Sequence, residues 1–286
     1  MSTIIDLRRR IQSVRNSQQI TQAMKTVATS RYRRVQKQVV ARRPFWHTFP
    51  ELAISLTREL NLADHPYLQV RPEKKLLVVV ITSDKGLCGA FNSNLLNLAA
   101  SFINEKGQNS QLALIPIGKK AVNFCRNFPW PVAASYSDGV EKKIAAISQS
   151  LSQYFDYEFI RQNVDAVYLI YNEFRSVLAP RLTATRLLPL AADLSGRSSE
   201  HPEPIWEQEA STIINYLLKF YLKAQLEHVL FESQVAEQAA RMMAMENASR
   251  NAEDLISSLV LLLNKMRQAA ITKELLEIQT TVEALQ

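Results

Sequence analysis

The sequence predicts an α/β chain in which a compact domain with a mostly parallel sheet stands between two long terminal helices. Two observations carry this. All six glycines lie between Gly86 and Gly196 and all eleven prolines between Pro44 and Pro204, so neither end of the chain holds a helix breaker. Glycine costs backbone entropy in a helix and proline lacks the N–H that a helix needs. Between Lys75 and Leu190, β-branched apolar runs alternate with helical stretches, the pattern of a sheet covered by helices.

The N-terminal segment, residues 1–60, carries apolar or small residues at Leu7, Ile11, Val14, Thr21, Met24 and Ala28. Most of these steps are of three and four residues and mark one helical face. Pro44 and Pro50 are expected to interrupt it, with Glu51–Leu60 able to resume a helix. The middle domain, residues 75–195, begins with KLLVVVIT at Lys75–Thr82, a buried strand that ends in a turn at Ser83, Asp84 and Gly86. Asn92–Lys106 reads as a helix, Gln111–Ile117 as a strand and Lys119–Phe128 as a short helix. Val132–Ser137 reads as a further strand, Val140–Ile160 as a helix, and Asp165–Tyr171 and Leu182–Leu190 as strands. Gly196–Pro204 is a polar connection, and the last helix, residues 207–286, starts near Glu207. In it Leu255, Leu259, Leu262 and Met266 repeat at four, three and four, a heptad seam, and Leu222, Leu226, Val229 and Ala236 give a looser one. Around LISSLVLLL the apolar surface covers most of the circumference, as in a helix surrounded by protein. Fully helical, the two ends would reach roughly 65 Å and roughly 120 Å at about 1.5 Å per residue. Antiparallel pairing of the two is the economical way to bury both stripes.

With 286 residues and 47% apolar content the chain can build a core of one or two domains. Cys88 and Cys125 make no disulfide framework and suit a reducing compartment. The longest apolar runs, Leu76–Ile81 and Leu259–Leu263, fall far short of the roughly 18 residues of a membrane span, and the start MSTIIDLRRR lacks a secretory apolar stretch. The expectation is a protein that is soluble and intracellular or peripheral to a membrane. The net charge of +7 is uneven: residues 1–43 hold eleven Lys and Arg and one acid, Asp6. The basic character belongs to one helix.

Enzyme signatures are mostly absent. His47, His65, His201 and His228 are scattered without metal-ligand spacing, Gly118-Lys119 lacks the rest of a phosphate-binding loop, and there is no GxSxG elbow. The suggestive loop is SDKGLCGAFN at Ser83–Asn92, between a strand and a helix, where α/β sheets bind ligands. Cys88 there could be a nucleophile activated by the helix N-terminus; the simpler account is a tight turn that needs Gly86 and Gly89. The basic N-terminal helix could bind nucleic-acid phosphates or an acidic membrane, but Tyr32 is its only aromatic before Pro44, so no stacking platform accompanies the charge. Its simpler role is a solvated or partner-facing surface. Met242, Met243 and Met245 beside Arg241 could mark recognition or plain packing.

Three long blocks resemble the gamma subunit of F-type ATP synthases, of bacterial type. They are RIQSVRNSQQITQAMKTVATSRYRR at Arg10–Arg34, TSDKGLCGAFNSN at Thr82–Asn94, and ESQVAEQAARMMAMENASRNA at Glu232–Ala252, continuing to NKMRQAAITKELLEI at Asn264–Ile278. They span essentially the whole chain. The resemblance implies a long antiparallel left-handed coiled coil of the N- and C-terminal helices plus a Rossmann-like α/β foot. It implies a non-catalytic rotor shaft without a cofactor, one copy per complex, that couples proton flow through the membrane c-subunit ring to ATP synthesis in the alpha/beta hexamer, with the foot binding the epsilon subunit.

By the same resemblance, Met24, Lys25, Arg241, Arg267, Gln268, Thr272 and Glu277 face the alpha and beta subunits, Arg267 and Gln268 hydrogen-bonding a beta loop. Trp206 and Glu207, in EPIWEQE, are assigned to the ring- and epsilon-facing foot, where the match is weak. The chain departs from the family at Thr280-Thr281, where a small residue and glycine are usual, and it lacks the cysteine pair of the chloroplast redox switch. The expected place is the cytoplasmic face of the bacterial plasma membrane, peripherally bound. Two other classes compete: a coiled-coil scaffold binding nucleic acid through its basic helix, and an α/β enzyme using Cys88. The scaffold does not require the GLCGAFN loop, and the enzyme leaves both long helices without a purpose.

Overall fold

The computed structural model describes residues 4–59, 65–177, 180–190 and 209–283. The chain order is α1 (Ile4–Glu59), β1 (Lys75–Ile81), α2 (Phe91–Gly107), β2 (Gln111–Ile117), α3 (Lys119–Cys125), α4 (Val140–Ile160), β3 (Ala166–Glu173), β4 (Arg181–Leu188) and α5 (Ala210–Glu283). Among the described residues no helix is long and apolar enough to cross a membrane. The chain forms two compact units, Met1–Thr29 with Arg241–Gln286, and Ser30–Ala240.

The larger unit is built on a four-stranded sheet in the order β2-β1-β3-β4. β1 pairs in parallel with β2 and β3, and β4 joins β3 antiparallel. Both faces of the sheet are covered, which is why β1 is a continuous apolar run and not an alternating one. Leu76, Val78 and Val80 turn to a core shared with α2 and α3, and Leu77, Val79 and Ile81 to a second core shared with α4 and parts of α1 and α5. In that second core Leu222, Leu226 and Val229 are buried, and Ala236 is buried in a separate small cluster, so the looser seam read from the sequence is a true packing face.

Two expectations fail here. Val132–Ser137 forms no strand; it touches β2 only through isolated bridges at Leu114–Val132 and Ile117–Tyr136. The two contact points are three positions apart on β2 and four on the other segment, and Pro116 offers no N–H between them, so a regular ladder cannot propagate. Pro44 and Pro50 do not interrupt α1. Each removes one donor, but aromatic packing holds the helix through Pro44: Phe45 and Phe49 meet Phe220 edge-on at 5.7 and 5.3 Å, and Trp46 stacks on His228 at 4.6 Å. Tertiary burial outweighs a local propensity deficit.

The smaller unit is an antiparallel helix pair. Leu7, Ile11 and Leu259 are buried in its seam, with Val14, Ile256, Val260, Leu263 and Met266 packed against them. Gln22 accepts a hydrogen bond from Ser249 Oγ at 3.4 Å, and Lys25 forms an ion pair with Glu246. The heptad seam differs in phase from the expected one. Leu259 and Met266 belong to it, but Leu255 and Leu262 are 39% and 44% exposed, and Ile256 and Leu263 take the inward places.

Candidate functional site

The loop between β1 and α2 sits at the carboxyl end of the sheet, where ligand chemistry was most expected. Its Cys88 is buried, with Phe91 and Ala236, in a small apolar cluster that Phe174 and Ala240 complete. The Cys88 sulfur accepts a hydrogen bond from Asn92 Nδ2 at 3.1 Å and lies 3.8 Å from Ser83 Oγ. No histidine is among these contacts, and none of them supplies a base for the thiol. Burial pushes the thiol of Cys125 up to about 11, which makes it a poor nucleophile as well. The turn does need Gly89, at φ 58°, but its other positive φ belongs to Leu87 at 63° and not to Gly86.

The residues that sequence reading missed here are Thr82 and Asp84. Thr82 Oγ1 accepts from the Ala121 N–H at 2.8 Å inside the first turn of α3. Gly118 must pass so close to Thr82 that a Cβ would strike its carbonyl, and its φ is 92°. Asp84 Oδ1 accepts from the N–H groups of Lys119 and Asp138 at 3.1 and 3.2 Å; Oδ2 accepts from Gly139 and Val140 at 2.9 and 3.2 Å. A helix N-terminus leaves its first N–H groups without intrahelical partners, and one carboxylate here serves two of them. The available signal was an acid directly after a strand in T-S-D-K-G.

The residues assigned to partner contacts lie in the helix pair. Met24 and Lys25 are half-buried, and Lys25 pairs with Glu246, which also receives a hydrogen bond from Arg250 Nε at 3.0 Å. The hydrogen bond from Lys25, with Arg250 adding to it, holds the Glu246 carboxyl below the usual carboxylate range. Arg241 is buried. Arg267, Gln268, Thr272 and Glu277 are all exposed. Thr272 Oγ1 donates to the Gln268 carbonyl at 3.0 Å, and Glu277 lies 3.6 Å from Lys273. Neither Arg267 nor Gln268 turns inward, so both are presented outward. Trp206 and Glu207 lie outside the described residues.

Around these side chains α5 exposes large apolar groups: Leu261 at 66%, Leu275 at 60%, Leu276 at 57% and Ile278 at 61%. A helix in water does not normally present so many in so short a stretch. Among the described residues no group of three His, Cys, Asp or Glu side chains could hold a metal ion.

The ATP synthase family model matches residues 3–285. The chain is 36% identical over 290 residues to an ATP synthase gamma chain of Chlorobium limicola, and 37% over 291 residues to that of Chlorobium chlorochromatii, in each case covering 100% of this chain and 99% of the relative. Among solved structures it is similar to the central stalk and c-ring of the Tetrahymena thermophila mitochondrial ATP synthase, with TM-score 0.58 and 30% identity over 80% of this chain and 99% of that one. Its fold is also that of a chain in the Euglena gracilis mitochondrial ATP synthase, with TM-score 0.70 and 22% identity over 99% of this chain and 94% of that one. These likenesses give no support to a nucleic-acid scaffold. Matched along its whole length, the chain belongs to the ATP synthase gamma family, the central rotor stalk of that machine.

Proposed function

We propose that the chain turns as one copy within an alpha/beta hexamer and transmits the rotation of a proton-driven c-subunit ring to ATP synthesis there. It is itself non-catalytic and needs no cofactor. The carrying observation is the exposed apolar end of α5, with Leu261, Leu275, Leu276 and Ile278 facing outward without a second helix over them among the described residues. A close apolar sleeve would remove that surface from water and still permit rotation, because apolar contact is non-directional.

In this reading Met24, Lys25, Arg241, Arg267, Gln268, Thr272 and Glu277 lie toward the alpha and beta subunits, with Arg267 and Gln268 grasping a beta loop in one rotary position. A planar guanidinium and an amide make directional bonds to carboxylates and carbonyls that can be broken and remade. The segment 75–195 serves as the foot, the segments 1–60 and 207–286 as the shaft, with Trp206 and Glu207 toward the ring and the epsilon subunit. The assembly lies peripherally at the cytoplasmic face of a bacterial plasma membrane. The test is reconstitution: the purified chain is added to alpha and beta subunits, and rotation is followed on single molecules. Assembly with rotation is expected, and Arg267→Ala and Gln268→Ala should alter dwell times without reducing assembly. A chain that fails to enter the hexamer, or that hydrolyses ATP alone and loses this with Cys88→Ala, overturns the reading.

A further inference from the structure

Where β1 ends, consecutive side chains tie the sheet to its surroundings. Thr82 caps α3, Ser83 bonds Asn92 at the start of α2, and the Asp84 carboxylate holds the N-termini of both α3 and α4 with four N–H bonds. From there the ties reach the two long helices. Glu141, in the first turn of α4, pairs with Arg31 of α1 at 3.2 Å, and the loop sets Cys88 and Phe91 against Ala236 of α5. The small side chain of Ala236 lets the loop approach the helix closely.

Apolar cores resist being pulled apart but specify angle weakly, since their attraction is non-directional. Hydrogen bonds weaken steeply when bent, and those to a charged acceptor are the stronger kind. A body that must carry a twisting load therefore depends on its directional ties more than a static one does. We propose that Asp84 is the positioning residue that locks the sheet and α4 at a fixed angle to α1 and α5, so that torque entering the sheet domain reaches the long helices without slip. This rests on the rotor reading above.

Asp84→Asn keeps the shape and removes half of the function: one oxygen still accepts, but the amide NH2 now faces two N–H donors. In the isolated full-length chain the variant should stay folded, while amide hydrogen exchange at Lys119 and at residues 138–140 should rise at least tenfold. In the complete membrane-bound complex, assembled with this chain, ATP hydrolysis should stay near wild type while protons pumped per ATP fall at least twofold. Asp138→Asn is the control; it removes a neighbouring carboxylate but keeps the backbone N–H that Asp84 holds, and it should pump as wild type does. Should Asp84→Asn not assemble, Val140→Pro deletes one of the four donors at the first helical position, where proline is tolerated, and the same ratio is read. Unchanged exchange, or raised exchange with an unchanged pumping ratio, overturns the proposal. Failure of the wild-type chain to restore pumping overturns the rotor reading instead, so the two failures are distinct.

Discussion

The two compact units of this chain are held by different means. In Ser30–Ala240, side chains such as Leu95, Ile115 and Leu169 are fully removed from water by partners on all sides. In the helix pair of Met1–Thr29 and Arg241–Gln286, the seam side chains have one facing helix, and among the described residues its buried apolar side chains larger than alanine are Leu7, Ile11, Met245 and Leu259. A sheet covered on both faces supplies its own core. A two-helix pair has one seam, and surface beyond it stays available to something else. The unit with the thinner core is also the one that carries the exposed apolar side chains of the α5 end.

The largest expected effect tests the thicker core. Leu169→Ala, in the middle strand pair, should cost about 2–5 kcal/mol, because the cavity it leaves is walled by strands and helices that cannot collapse. Denaturant unfolding followed through the aromatic signal measures it. A loss below about 1 kcal/mol would mean that this core is no better filled than the helix seam.

The next effect tests the phase of the seam. Leu259→Asp removes a buried leucine contributing roughly 1.5–3 kcal/mol and places a charge in the seam, so the helical signal of the pair should fall markedly. Leu262→Asp, on the exposed side, should cost less than about 1 kcal/mol in the isolated chain. Equal losses from both would show that the expected phase, with Leu255 and Leu262 inward, is populated after all. The phase was hard to read because leucines at 255, 259, 261, 262 and 263 satisfy steps of three and four in more than one way. Leu7, Ile11 and Val14 on the facing helix decide between them.

KLLVVVI, Gln111–Ile117 and Val140–Ile160 were legible because period and composition agree over a full element and no distant residue is needed to complete them. Pro44 within α1 was hidden because the compensation comes from Phe220 and His228, far along the chain. Val132–Ser137 looked like a strand, but strandedness needs a matching register on a neighbour, and Pro116 breaks it. At the candidate site, the partner-facing residues came from resemblance alone. The role of Asp84 was hidden because its four donors are backbone groups, which every sequence has.

A third effect runs the other way. Gln238 is fully buried in the larger unit, and among the described residues neither Oε1 nor Nε2 has a hydrogen-bond partner. Leaving such groups unsatisfied costs about 1–3 kcal/mol, so Gln238→Leu should stabilise the unit by up to about that amount. A higher denaturation midpoint at unchanged slope is the expected reading. A lower midpoint would mean that the amide is satisfied in solution, and that this core is less dry than the sheet cores beside it.

The smallest effect concerns the polar ties of the helix pair. Lys25, with help from Arg250, holds Glu246 below the usual carboxylate range. Unfolded, the same carboxyl titrates near about 4.3. A group whose native pKa is depressed binds its proton more readily when unfolded, so it favours the folded form above the unfolded pKa. That preference disappears as pH falls through the lower native value. The helical signal of the pair should therefore hold from neutral pH to about 5 and weaken below that. Glu246→Gln should lose the acid step attributable to this residue, while Asp156→Asn, in the other unit, should leave it in place. Because both partners are partly solvated, added salt should shrink the step. An acid profile identical in wild type and Glu246→Gln would mean that the seam alone holds the pair, and that Lys25 is free to change partners when another acidic group is presented to it.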